Sequence, residues 1–280
     1  MELQTRIYQK QNTKSLWTLI KESLNDIYTS RFLAKQLTIR DIKAQYRQSY
    51  FGILWAFIGP LTTALVWIFL NNSGTIKLSD TGIPYPVYVF SGTLLWSIMI
   101  EAINSPMLST NSARSIISKI NFPKEALIIS GIYKLLFNSS IKIALLVIFL
   151  LIYQIPISWT ILLFPFTLLA IIIFGTTLGL FITPLGLLYT DVSKAISFTF
   201  RFIMYLTPVI YVVPKTGIMK TLMELNPLTP LLLTARDVLV GQPPQYLTYY
   251  CVILSLSFLL LLVALAIYRV SIPILTERIG

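Results

Sequence analysis

Four charged side chains interrupt stretches that are otherwise apolar: Glu101, Lys134, Lys142 and Arg201. An ionised group facing lipid at a helix centre costs about 2.5–3.5 kcal/mol, so each must face protein or a water-filled path. Glu101 and Lys134 sit at similar depths in two adjacent apolar segments and are expected to form an internal ion pair. Arg201, near a segment end, can snorkel to the interface. A second group, Arg40, Lys43 and Arg47, follows a helical i, i+3, i+7 spacing directly before the first apolar run. These cations either anchor the chain by the positive-inside rule or offer a contact surface to a partner or an anionic headgroup, at ~1 kcal/mol each. What is missing narrows the chemistry further. There is no His, and the single Cys251 can form no disulfide within the chain. No Gly-x-x-x-x-Gly-Lys-[Ser/Thr], no Gly-x-Ser-x-Gly, no paired carboxylates and no His/Cys metal cluster occur. The residues suit moving a substrate better than transforming it, with the energy coming from a partner or an ion gradient.

The elements that must position these groups are set by composition. The chain is 55% hydrophobic and only 12% charged, with a mean hydropathy of +0.75, whereas soluble domains carry roughly 25% charged residues. One globular core cannot hide that much apolar surface, so the expected solvent is lipid. About 20 apolar residues make one helical span. Six stretches qualify: 51–71, 85–108, 126–153, 159–189, 195–213 and 246–268. The third and fourth must be divided within a charge-free run, and Gln154, Pro156 and Ser158 supply the tight turn of an antiparallel hairpin. The fold class is therefore an all-α integral membrane protein. Lys and Arg crowd the first fifty residues, the loop after span two and the C-terminal tail, which puts both termini in the cytoplasm. The first fifty residues lack an apolar h-region, so no cleavable signal peptide is expected. The domain division is 1–50 as a cytoplasmic region with an interface helix, 51–270 as the transmembrane domain and 271–280 as a cytoplasmic tail.

The connecting pieces are unusual. Ile39, Ile42, Tyr46 and Tyr50 line an apolar face beside the Arg40–Lys43–Arg47 flank, the pattern of a helix lying in the membrane interface. In 111–125, Ile116, Ile117 and Ile120 are expected on one face of a short helix, capped by Asn111 or Ser112 and stopped by Pro123. Such a face fills a groove on a partner or lies on lipid. The loop 214–245 is too polar to span yet too rich in Leu to be solvated. Asn226-Pro227 is a good helix start and Gly241 a good stop, so two short helices dipping back from outside are expected, as a plug or gate. Gly175 and Gly179 form a close-packing face without naming its partner. Trp55 belongs to the inner aromatic belt. Phe198, Phe202 and Tyr205 share a deeper helical face, for which packing in the core is favoured over contact with a sugar.

Three stretches in order carry a family resemblance. "YRQSYFGILWAFIGPL" resembles the beginning of the first span in type-2 ABC exporter permeases for polysaccharides, "KINFPKE" their Lys-x-x-Phe-Pro loop, and "LNPLTPLLLTARDVLVG" their outer re-entrant segment. Spacing and length also agree from about residue 37 to 275, with Phe51 a mild departure from the family's frequent Leu. The resemblance implies a permease in the bacterial plasma membrane that exports a lipid-carrier-linked glycan such as O antigen, capsule or teichoic acid. It implies a homodimer bound to two copies of a separate ATPase, which would hold the ATP and Mg; this chain itself would need no cofactor. It implies roles as well. Arg114, Ile116, Ile117, Lys119, Ile120, Phe122 and Pro123 would couple to the ATPase. Arg40, Lys43 and Arg47 would meet the headgroup. Trp55, Phe198, Phe202 and Tyr205 would line the pathway, and Asn226, Pro227, Arg236 and Gly241 would form the outer gate. Membrane lipids are further partners, and no nucleic-acid partner is expected. A type-2 permease for a drug or plain lipid is the nearest alternative. An intramembrane transferase acting on a lipid carrier, or a non-catalytic scaffold, are alternatives from other classes.

Overall fold

A computed structural model describes residues 15–47, 54–74, 81–117, 119–120, 122–156 and 158–279. These residues form helices α1 (Leu16–Thr29), α2 (Arg31–Arg47), α3 (Trp55–Asn72), α4 (Tyr85–Ser112), α5 (Arg114–Ile117), α6 (Glu125–Ile152), α7 (Phe164–Leu188), α8 (Thr190–Tyr205), α9 (Ile218–Leu225), α10 (Leu228–Leu239) and α11 (Leu247–Ile279), with a 3-10 turn at Trp159–Leu163. No strand occurs among the described residues.

Four helical segments are long and apolar enough to cross a membrane: Tyr85–Ser112, Glu125–Ile152, Trp159–Leu188 and Leu247–Leu275. The chain is thus a multi-pass helical membrane protein. The remaining two expected spans are shorter. α3 keeps 18 residues, and Phe51 lies outside the described residues. α8 begins at Thr190 and stops at Tyr205, well short of residue 213. Pro208 has no N–H to continue the helical ladder, and the chain turns through 206–210 instead.

α4 is the buried centre. On one side it meets α7, where an added Cβ at Gly175 would strike Ala102 and the Met99 carbonyl, and one at Gly179 the Ile103 carbonyl. The Gly-x-x-x-Gly face therefore serves the α4–α7 contact, letting the two backbones approach closely. On its other side α4 meets α6, with Gly131 packed on Ser105 and Ser109. The hairpin between α6 and the 3-10 turn closes as expected: Gln154 adopts φ +52°, and the Ile155 N–H donates to the Leu150 carbonyl at 3.0 Å.

One end of the bundle carries the N-terminal helices. Ser15 caps α1 through the Thr18 N–H at 3.4 Å. α1 and α11 are tied by Arg269, which bonds Asp26 at 2.7 Å and Glu22 at 3.3 Å and also pairs with the buried Glu125 of α6. Of the expected apolar face of α2, Ile39 is exposed and Ile42 half-buried, and the buried stripe lies beside it. Ala34, Leu37 and Thr38 are buried, and the Thr38 hydroxyl bonds Ser130 Oγ of α6 at 3.2 Å. The helix begins earlier than the basic stretch suggests, so its contact stripe is set by its first half. The side chain of Tyr46 and all of Tyr50 lie outside the described residues.

Candidate functional site

The groups singled out by sequence fall into three regions. At the N-terminal end, Arg40 is engaged internally: its guanidinium donates to Asp41 at 2.8 and 2.6 Å, and the Ser112 hydroxyl reaches the other Asp41 oxygen at 3.2 Å. Lys43 and Arg47 stay exposed on the same helix. The loop after α4 is beside them. Arg114 donates to the Leu187 carbonyl at the end of α7, at 2.9 Å. The shared Ile face is not formed. Ile117, 7% exposed, joins Leu37, Ala113 and Leu127 in a small core; Ile116 and Phe122 pack at its edge. Ile120 is 59% exposed. The Ile120 N–H still donates to the Ile116 carbonyl at 3.0 Å, but the small core of Leu37, Ala113 and Leu127 covers Ile117 and leaves Ile120 outside it. Lys119 and Pro123 are exposed near Ile120. The Lys124 ammonium lies 4.5 Å from the Phe122 ring centre, and burial pulls its pKa down against the opposing pull of Glu125.

In the middle of the bundle the expected Glu101–Lys134 pair is replaced. Glu101 pairs with Lys142 at 2.8 Å and accepts a hydrogen bond from Asn138. The reason is directional. Helical side chains lean toward their own N-terminus. With Gly131 level with Ser105, Lys142 leans down α6 and Glu101 leans up the antiparallel α4, so they meet near Asn138. Lys134 leans the same way from near the level of Glu101, which carries its ammonium away from the carboxylate. The aromatic face on α8 is also placed differently from its favoured role. Phe198 and Phe202 touch edge to face at 4.9 Å, yet they are 63% and 58% exposed, and Tyr205 and Trp55 are exposed too. They are not core in this chain. A cleft of about 390 Å³ runs between α3, α4 and α8, where Pro60, Trp96, Phe200 and Arg201 line it.

The opposite end holds the most tightly organised polar cluster. Residues 206–212 leave the helical ladder, so their carbonyls need other donors. Arg236 of α10, only 2% exposed, supplies them: it donates to the Pro208 carbonyl at 3.0 Å and the Val209 carbonyl at 2.8 Å. Its guanidinium lies 3.7 Å from the Tyr88 ring centre, and the Tyr88 hydroxyl donates to the Tyr211 carbonyl at 3.1 Å. Gly92 makes room for this arrangement, since a Cβ there would collide with Arg236 and Val209. Asn226 clamps a second point. Its amide donates to the Leu206 carbonyl at 3.0 Å and Thr207 Oγ1 at 2.8 Å, while its oxygen accepts the Leu228 N–H at 3.0 Å and so starts α10. Pro227 precedes the first turn. Gly241, at φ +77°, ends the segment against Ser158. Asp237 is pushed up to about 6 by burial, opposed by the Gln245 N–H and by Arg236. The sequence thus marks both ends of this element, but not that Arg236 is buried as a clamp. Tyr88, Asn138, Glu125 and Arg269 were missed. Arg236 and Glu125 sit in the quoted family-like stretches, which is the one signal that pointed near them.

A multi-pass bundle without a phosphate loop and with a short helix pair clamped over one end is the build of a transport permease. The ABC-2 type transporter family matches residues 33–240, and the chain belongs to that family. Among similar proteins are the O-antigen export system permease protein RfbA of Myxococcus xanthus, 23% identical over 77% of this chain and 83% of that protein, and RfbA of Klebsiella pneumoniae, 24% identical over 83% of this chain and 89% of that protein.

Proposed function

We propose that this chain is the permease subunit of an ATP-driven exporter that moves a lipid-carrier-linked polysaccharide, of the O-antigen or capsule kind, across the bacterial plasma membrane. The observation that carries the reading is the similarity to two O-antigen export permeases over most of their length and most of this one. In this reading α3 and α8 complete six spans, both termini are cytoplasmic, and the domain division is that of the sequence. Two chains meet two ATPase subunits, which hold ATP and Mg. The exposed aromatic face of α8 then faces the pathway or the second copy, with Trp55 of α3 exposed as well. The α9–α10 pair closes the outer mouth. Loss of the gene should abolish surface glycan while carrier-linked glycan accumulates inside the cell. Normal surface glycan in that strain would refute the reading.

Docking on the ATPase falls to the exposed part of the loop. Ile120→Asp should lower ATPase co-purification by about tenfold or more, because a charge in a desolvated apolar groove is costly. Ile117→Asp tests a different thing: it disrupts the small internal core and should lower the amount of permease in the membrane. Equal co-purification from the Ile120 variant and the unaltered chain would remove Ile120 from the interface.

The headgroup role falls chiefly to Lys43 and Arg47, since Arg40 already has Asp41. Changing both to Gln should leave insertion intact, because many other cations on that side remain. Export per ATPase-bound permease should fall about five- to tenfold through lost charge-assisted contacts with phosphate. Arg40→Gln should have a smaller effect on the same measure. Normal export from the double variant would leave these residues as anchors only.

A further inference from the structure

Between α2, α4 and α6 lies a cleft of about 290 Å³ that the transport reading does not use. It extends from Asp41 and Ser112, at the N-terminal end of the bundle, to Glu101 deeper in. Both carboxylates are already neutralised, Asp41 by Arg40 and Glu101 by Lys142. The cation on the wall is Lys134, half-buried and without an ion-pair partner among the described residues. Two hydroxyls beside it retain donor capacity. The Ser105 hydroxyl makes no hydrogen bond among the described residues, and the Ser130 hydroxyl, 3.2 Å from Thr38 Oγ1, whose own proton goes to the Ala34 carbonyl at 2.7 Å, can turn its proton to a ligand instead. Leu108 and Leu135 supply apolar wall next to these donors. An ammonium and two hydroxyls, with every nearby carboxylate satisfied, call for an anionic oxygen ligand. The apolar wall calls for an amphiphile. A water takes about 30 Å³ of liquid, so a phosphate group with several waters fits the volume.

We propose that this cleft seats the phosphate of a lipid headgroup, held by Lys134, Ser105 and Ser130. Placed there, the lipid lies between α2 and the α4–α6 pair. The phosphate can come from a membrane glycerophospholipid or from a polyprenyl diphosphate carrier. Native mass spectrometry of the permease–ATPase complex, extracted from membranes without ATP or glycan, separates the two by mass. The unaltered chain should retain a phosphorylated lipid of one kind or the other. Lys134→Gln should lower its occupancy about tenfold, and Lys134→Arg should restore most of it. A photo-cross-linking residue at Gln45, exposed on the α2 rim of the cleft, needs no change to the site itself and should capture the same lipid. It stands in if the Gln variant fails to accumulate. Equal occupancy in the unaltered and Gln proteins, or capture only of phosphate-free lipid at Gln45, would overturn the proposal. Because neither glycan nor ATP takes part, failure here is distinct from failure of the export reading.

Discussion

Arg236→Met should release the α9–α10 pair from the bundle. The buried guanidinium is the donor for the Pro208 and Val209 carbonyls and stacks on Tyr88. Non-helical backbone at membrane depth persists only where protein satisfies it. Removing the donor leaves the Val209 carbonyl without its guanidinium partner and the Pro208 carbonyl with only the Tyr88 hydroxyl at 3.3 Å, at about 1–3 kcal/mol each, and the packing against Tyr88 is lost as well. The expected total is about 3–5 kcal/mol, in the range for breaking a buried charged network. Arg236→Lys should recover only part of this, because a single ammonium lacks the planar fork that reaches both carbonyls while covering the ring. The direct readout is thiol labelling of Val209→Cys in a Cys251→Ser background, since Val209 is fully buried and Cys251 is exposed. Labelling should rise by about a hundredfold or more in the Met background and to an intermediate level in the Lys background. Unchanged labelling in both would show that Asn226 and the surrounding apolar contacts hold the segment without Arg236.

Breaking the Glu101–Lys142 pair should be far more damaging from one side than from both. Lys142→Met strands a largely buried carboxylate with only Asn138 to support it, and Glu101→Gln strands an ammonium whose side chain is 6% exposed. Removing one partner of a buried pair costs about 3–5 kcal/mol, whereas replacing both can be nearly neutral. The double variant Glu101→Gln/Lys142→Met should therefore melt close to the unaltered protein, and each single variant well below it, when the complexes are compared in the same detergent. Lys134→Gln should leave this melting behaviour nearly unchanged, since Lys134 takes no part in the pair. Additive losses in the double variant would mean that the two residues act independently.

Residue types and their order determined most of the architecture. The apolar segments behind α4, α6, α7 and α11 are long enough that only membrane-crossing helices satisfy their backbones. The α6–α7 hairpin, the start of α10 at Asn226-Pro227 and its end at Gly241 follow from local chemistry that acts within a few residues. Gly175 and Gly179 were visible as a close-packing face for the same reason. Only the tertiary structure decided which partners those local features meet. The α4 backbone at Ala102 and Ile103 claims the glycine face. Lys142 displaces Lys134 beside Glu101 because the register of α4 on α6 and the lean of the side chains, not depth along each helix, set which atoms touch. Ile117 is buried and Ile120 exposed because the core built with Leu37, Ala113 and Leu127 reaches the first and not the second. Arg236 reads as one more cation in an outer loop until the broken end of α8 is brought over it. The carbonyls it serves lie 27 and 28 residues away in the chain, and a partner at that separation exists only once the helices are packed.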